Sequence, residues 1–435
     1  MIDGAELIVD LHVHSRYARA TSRDLTLSGL YRWAKIKGIS VIGTGDFTHP
    51  AWFGEMREQL EPAEAGLFRL KPEWAQAVDA ELPPSVRGAT VRFVPSVEIA
   101  TIYKRDDRVR KVHQLIIAPS FEAVSEINER LSRIGNLKAD GRPILGLDSQ
   151  ALLRLVLEAE PRALYVPAHI WTPWFAVFGS KSGFNTMAEA YGDLAGEIRA
   201  VETGLSSDPS MNWRVADLDG RAIISNSDAH SPQKLGREAT ALRSELNYEA
   251  IVGAIKANDE RLVGTIEFFP QEGKYHYDGH RLCGVRWSPE ETQAHGGACP
   301  VCGKPVVVGV DYRVSELAAG DRLEGYEPAG AKRVEYIIPL GEVLAELRGV
   351  KGAAGVAVVR EYERLIRVLG PEFAILRELP LEQIGAASSA LATAIERMRR
   401  REVYLEPGYD GMYGVVKVFR DGAERSETLN QLSLL

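Results

Sequence analysis

Leu7-Ile8-Val9-Asp10-Leu11-His12-Val13-His14 carries the chain from a short apolar run into two histidines spaced two apart. The run has the length and β-branched content of a buried strand, and residues two apart on a strand face the same way. His12 and His14 therefore share a face, where both imidazoles can reach one metal ion.

Comparable runs recur outward from this one at 39–46 (ISVIGTGD), 91–100 (VRFVPSVEIA), 112–119 (VHQLIIAP), 163–170 (ALYVPAHI), 198–204 (IRAVETG) and 222–230 (AIISNSDAH). Amphipathic stretches separate some of them: 27–38, closed by Gly38, then 123–134 and 149–160. Alternation of this kind predicts a mainly parallel α/β fold, and the number of strands favours a barrel over a doubly wound sheet. Six of the nine histidines fall in this part of the chain: His12, His14, His49, His113, His169 and His230. Almost all stand at or just past the end of an expected strand. Asp228 precedes His230 in a second same-face pair, Glu98 lies within a strand, and Asp46 comes just before His49. At the mouth of a barrel such a ring would hold two or three divalent ions, with mixed N/O donors suiting zinc, manganese or iron over calcium.

The remaining composition sets limits. The chain has 435 residues, 45% hydrophobic and 26% charged, a globular profile that excludes collagen-like and disordered classes and allows two to four domains. A net charge of −8 excludes a generally basic coat for nucleic acid, though not a local basic surface. No run approaches the ~18 apolar residues of a membrane span. The start shows no basic segment of a secretory leader, so the expected location is cytoplasmic.

All three cysteines fall within 283–302. His280-x-x-Cys283, fifteen residues, then Cys299-x-x-Cys302 offers two ligands on each of two tight turns, which closes a tetrahedral structural zinc site. His276 and His295 are alternative fourth ligands, with His280 preferred for its symmetrical spacing. The expected division is thus 1–268 as a metal-dependent barrel, 269–315 as a zinc-binding module and 316–428 as a mainly helical region. Residues 429–435 form a tail.

Three stretches suit nucleic acid. Tyr103–Lys111 carries five basic residues and reads as a basic hairpin beside the metal mouth, or as a solvated turn. Trp171, Trp174, Phe175 and Lys181 lie on one Gly-punctuated loop that serves as either a base-stacking surface or a local core. Pro407–Gly414 is a tight Gly-rich turn bearing two tyrosines, able to approach a backbone closely. Arg16, Arg19 and Arg23 follow the histidine pair, as phosphate-gripping groups or as solvated surface residues.

The series DLHVHS, GTGD, Glu98, His113, His169 and SDAH resembles the polymerase-and-histidinol-phosphatase (PHP) superfamily of metallo-phosphoesterases over residues 8–232. The resemblance implies a distorted β/α barrel with a multinuclear centre of Zn, Mn or Mg. Its ligands are carried over to His12, His14, Glu98, His113, His169, Asp228 and His230. Where the superfamily has Thr-Asp-His this chain has Gly45-Asp46-Phe47, so Asp46 or His49 supplies that ligand, Asp46 ranking first. Asp24 is the one candidate for a further ligand behind the histidine pair. Gln431-Leu432-Ser433-Leu434-Leu435 resembles the short motif by which bacterial repair proteins dock on the sliding clamp.

Taken with TSRDL at 21–25, the 168–185 loop, the cysteine knuckle and PGYDGMYG, the whole chain resembles the endonuclease Q family. That implies a DNA-repair endonuclease using metal-activated water to cut the phosphodiester 5′ to deaminated bases (uracil, hypoxanthine, xanthine) or abasic sites, leaving 3′-hydroxyl and 5′-phosphate. The Trp171–Phe175 segment is one candidate wall for an unstacked base. The rival readings are a small-molecule phosphoesterase of the same superfamily and a non-catalytic, zinc-dependent protein tethered to the clamp.

Overall fold

The strand Leu7–Asp10 lies inside an eight-stranded sheet, parallel to Val41–Gly43 on one side and antiparallel to Ala239–Leu242 on the other. Its register sets Val9 opposite Val41 and Leu7 opposite Leu242. The computed structural model describes residues 6–426, so the Gln431–Leu435 motif lies outside the described residues. Beyond Val41–Gly43 the sheet continues through Arg92–Val94 to Phe68–Leu70 and Leu60–Pro62. Beyond Ala239–Leu242 it continues through Leu262–Glu267 to Arg333–Tyr336.

The expectation of a mainly parallel arrangement is corrected. Ser96–Arg105 and Arg108–Ile117 form a long antiparallel hairpin in a second, four-stranded sheet, and Leu164–Pro167 pairs antiparallel to it. The cause is local: Asp106 and Asp107 both take positive φ, +51° and +57°, as a two-residue turn matched to strand twist requires. Such a short link allows no parallel crossover. The parallel pair Ala200–Glu202 and Ala222–Ile224 forms a further sheet. Hydrogen bonds connect neighbouring pieces, among them Ile170 N to Glu202 O at 3.1 Å and Ser225 N to Thr240 Oγ1 at 3.0 Å. The architecture is mixed α/β.

Helices cover the sheets as the periodicity demands. Leu27–Lys37 starts at Thr26, whose side chain accepts from Gly29 N, and stops at Gly38 in the left-handed region. Phe121–Ser132 and Ser149–Ala159 are capped by Ser120 and Asp148, and the former buries Ala123, Val124, Ile127 and Leu131 along one stripe. One apolar core runs from Ile8 to Phe419. It takes in the C-terminal helices Leu340–Leu347, Val356–Leu369, Leu381–Ala387 and Ser389–Arg399. Arg377, nearly fully buried, joins Glu6 at 2.6 Å to Glu335 at 2.7 Å, tying the start of the chain to its last third.

The cysteine-bearing segment is a hairpin, Asp278–His280 with Val285–Trp287, followed by the helix Pro289–Ala294 with a Ser288/Glu291 capping box. Its separate apolar core holds Val285, Trp287, Cys299 and Val306. So small a core needs a staple.

Candidate metal centre

Glu98 is the pivot of the site. The hairpin sets it diagonally across from His113 on one sheet face, since Glu98 pairs with Leu115 and His113 with Ala100. One Glu98 oxygen lies 3.0 Å from His169 Nε2 and bonds His113 Nδ1. The other lies 3.3 Å from His14 Nε2 and 3.6 Å from His12 Nε2. Asp228 adds an oxygen 3.0 Å from His14 Nε2 and 3.7 Å from His12 Nε2. Two donor sets converge, His12–His14–Glu98–Asp228 and Glu98–His113–His169, each with ligand atoms within 4.8 Å of one another and with Glu98 in both.

The chemistry of these donors fits divalent metal. His12 Nε2 is buried and has no hydrogen-bond partner among the described residues, a cost that a bound cation removes. His12 Nδ1 faces Glu202, which fixes the ring with Nε2 toward the centre. Three residues that shape the site hold positive φ without being glycine: Asp46 at +49°, His169 at +31° and Asp228 at +45°. Such clustering of strained backbone is typical of functional sites. Gly45 (φ +65°) is required where it stands, because a Cβ there would lie 2.3 Å from the carbonyl oxygen of Val13.

Electrostatics follow from burial set against charge. Burial opposes protonation of His12, yet Glu202 and Glu98 outweigh it and hold the imidazole well above its ordinary pKa. His14 is raised likewise against its burial, by Asp46, Asp228 and Glu98. Burial would lift Glu98, but His113, Arg142 and His12 hold it well below the carboxylate range. His113 is pushed down to about 4 by burial, which leaves a neutral ring with a lone pair to offer.

The remaining expected ligands stand elsewhere. Asp46 lies behind His14, its Oδ1 3.1 Å from Nδ1, while its Oδ2 accepts from Ser15 N at 2.6 Å and Ser15 Oγ at 2.7 Å. It orients His14 and is outside both donor sets. His49 stacks on Tyr17 with ring centroids 4.4 Å apart, and is outside them too. His230 bonds the carbonyl of Asp228 at 2.9 Å and packs on His14 at 4.7 Å, beside the ring of donors. Asp24 is exposed and bonded to Ser22.

Of the phosphate-gripping candidates, Arg16 is paired with Glu55 at 2.6 Å, and Arg19 is exposed with Asp140 3.8 Å away. The aromatic loop divides between the two roles open to it. Trp171 is buried against Phe178 and bonds Asn212, whereas Trp174 is exposed, as is Lys181. The half-buried Phe175 lays its ring on His113 at 4.6 Å. Two site residues escaped the sequence reading. Glu202 ends its strand in a carboxylate, a signal present in IRAVETG. Arg142, whose guanidinium is 2.9 Å from Glu98, sits in a loop with no pattern to mark it.

In the small module, ligand atoms of His280, Cys283, Cys299 and Cys302 lie within 4.8 Å of one another. Cys302 Sγ is 3.7 Å from His280 Nδ1. The alternatives are engaged elsewhere: His276 is buried and stacked on Tyr277, and His295 is stacked on Trp287 at 4.3 Å.

A family model described as the MJ0043 C-terminal domain matches residues 339–402. The chain is 30% identical over 273 residues to uncharacterized protein MJ0043 of Methanocaldococcus jannaschii, covering 60% of this chain and 33% of that protein. It is 29% identical over 431 residues to uncharacterized protein YqxK of Bacillus subtilis, covering 95% and 99%. The chain thus spans a third of the first relative and nearly all of the second. Among solved structures it superposes on the lesion-specific endonuclease PfuEndoQ from Pyrococcus furiosus with a TM-score of 0.81 and 28% identity, covering 98% and 99%. It superposes with a TM-score of 0.80, also at 28% identity, on endonuclease Q in complex with a 27-mer duplex with an abasic lesion at the active site, covering 96% and 97%. Fold and donor set together are those of the metal-dependent phosphodiesterases. Within that class, the likeness to endonuclease Q extends over nearly the whole chain.

Proposed function

We propose that the chain is a lesion-specific DNA endonuclease that cuts the phosphodiester 5′ to deaminated bases or abasic sites, leaving 3′-hydroxyl and 5′-phosphate. The observation that carries this reading is the double use of Glu98, which makes two adjoining donor sets from six side chains. Its two oxygens face different histidine pairs, an arrangement suited to two divalent ions on one phosphate. When bound there, Zn, Mn or Mg would supply Lewis-acid charge to the phosphate and a water acidic enough to attack at neutral pH. The protein's own contribution is placement. Glu202 and Asp46 aim His12 and His14, the strained turns at His169 and Asp228 bring donors from separate strands together, and the neutral ring of His113 presents a lone pair. Phosphate would approach the donors beside Phe175, which rests on His113, and Arg142, which is bonded to Glu98.

The wider reading is a PHP-type barrel over 1–268, a structural zinc module over 269–315 with His280, Cys283, Cys299 and Cys302, and a DNA-binding helical region over 316–428. A sliding-clamp contact through the tail and a cytoplasmic setting complete it. Support for the nuclease comes from the near-complete match to relatives whose described substrate is lesion-bearing DNA. The test is incubation with labelled duplexes carrying uracil, hypoxanthine or an abasic site, with Mg²⁺ or Mn²⁺ and then with chelator. Metal-dependent nicking 5′ to the lesion is expected. Turnover of a small phosphomonoester with no nicking would replace this reading by a small-molecule phosphoesterase.

A further inference from the structure

The Gly-rich turn at 407–414 does approach a backbone closely, but it is the chain's own. Gly408 N donates to Gln271 O at 2.8 Å, Gly411 N to Lys274 O at 2.9 Å, Gly414 N to Glu272 O at 3.0 Å, and Tyr277 N returns to Gly408 O at 2.9 Å. A Cβ at Gly414 would lie 2.1 Å from Gln271 O, so only glycine lets the turn seat this deeply. The result is a rigid mount. What it presents outward is apolar: Met412 is 49% and Tyr413 68% exposed. A turn needs neither side chain, and large apolar groups held in water on a fixed backbone mark an interaction surface.

The surroundings say what kind. Lys274 Nζ sits over the Tyr413 ring at 4.4 Å. Position 411 lies against the Tyr275 hydroxyl and the Arg281 guanidinium, and the Arg281 backbone N–H donates to the Asp410 carboxylate at 2.8 Å. Tyr275 in turn meets the exposed ring of Trp174 edge-on at 5.9 Å. The residue after Trp174 is Phe175, whose ring rests on the metal-site histidine His113. One surface of aromatic and basic residues therefore runs from the metal centre, over Trp174 and Tyr275, to Met412 and Tyr413.

We infer that this surface is a stacking platform for a DNA duplex opened at the lesion, with Met412 and Tyr413 entering the gap that a displaced base leaves. The inference rests on the nuclease reading above. Aromatic faces accept any base, Lys274 and Arg281 meet the flanking phosphates, and continuity with His113 places the opened step beside the bond to be cut. Rigidity matters because a preformed wedge spends nothing on its own ordering.

The test uses the full chain and the double variant M412A/Y413A. Its probes are a duplex with an abasic site next to 2-aminopurine and the matching single strand. The variant is expected to lower the ratio of duplex to single-strand cleavage about tenfold, in line with the loss of one base–aromatic stack. It is also expected to lose most of the 2-aminopurine emission change, which Y413F retains. Equal emission changes in wild type and double variant, or an unaltered cleavage ratio, would overturn the platform. If the wild type cuts neither DNA yet still changes the emission in a Tyr413-dependent way, the nuclease reading fails and the platform stands. No cutting and no emission change would overturn both.

Discussion

Both carboxylate oxygens of Glu202 lie 3.0 Å from His12 Nδ1 in a fully buried setting, and Glu202 Oε2 also accepts from His169 N at 2.9 Å. One acidic side chain thus holds one histidine from each of the two donor sets. Glu202→Gln keeps the shape and removes the charge. Metal affinity is expected to fall about 10–100-fold, the usual effect of losing such a partner. Calorimetric titration with Mn²⁺ checks this, and an unchanged affinity would show that packing alone orients His12.

Arg142 faces the Glu98 oxygen at 2.9 Å and its side chain is about a quarter exposed. Its fork is the closest guanidinium to the shared carboxylate and has donors left for a phosphate. Arg142→Lys keeps the charge but loses the planar fork. The expected outcome is a drop in kcat of about 10²-fold with bound metal unchanged, read by cleavage kinetics beside metal analysis.

Removal of the small-module zinc should separate from removal of the catalytic ions. Cys302→Ala is expected to lower bound zinc by ~1 per chain and to weaken binding of the abasic duplex, because the 278–287 hairpin also supports the 407–414 turn. Zinc quantitation with thermal unfolding reads both. Retention of full zinc and of the midpoint would assign the fourth position to a different ligand.

Stability should fall as pH rises across neutrality. Burial pushes Glu267 up to about 8 and Glu238, beside it, well above the carboxylate range. The unfolded chain releases these protons from about pH 4.5 upward, whereas the folded chain keeps them, so the unfolded state binds fewer protons in this window. Each pH step therefore costs stability until Glu267 ionises near pH 8. Glu267→Gln is expected to flatten the urea midpoint between pH 5 and 8, and an unchanged slope would point to a different group.

The sequence disclosed the donors whose spacing carries a geometric rule. His12 and His14 flank Val13 just past the strand end, His280–Cys283 and Cys299–Cys302 lie on short turns, and the structure brings each set together. It did not disclose what depends on meeting across the fold. Asp46 and the carboxylates of the two donor sets look alike in sequence, because only the third dimension tells whether a carboxylate joins a donor set or lies behind an imidazole. Glu202 and Arg142 were missed for the same reason. The hairpin read over Tyr103–Lys111 is present as the turn joining Ser96–Arg105 to Arg108–Ile117, but its consequence, an antiparallel sheet in place of a parallel one, was hidden behind the pattern of apolar runs. Along the aromatic loop, Trp171 and Trp174 are chemically equal, and only packing separates core from surface.

The strand Arg333–Tyr336 completes the edge of the sheet that begins at Leu7, and Arg377 fastens both to Glu6. That has a consequence during synthesis. A ribosome has made three quarters of the protein, including every metal-site donor, before the last strand and its arginine clasp emerge. Until then Leu262–Glu267 presents an open ladder edge, ready to pair with a neighbouring nascent chain. The outer strand is therefore a guard on biogenesis as well as a seam, and chains interrupted before residue 333 should be cleared or aggregate instead of accumulating as half-assembled nucleases.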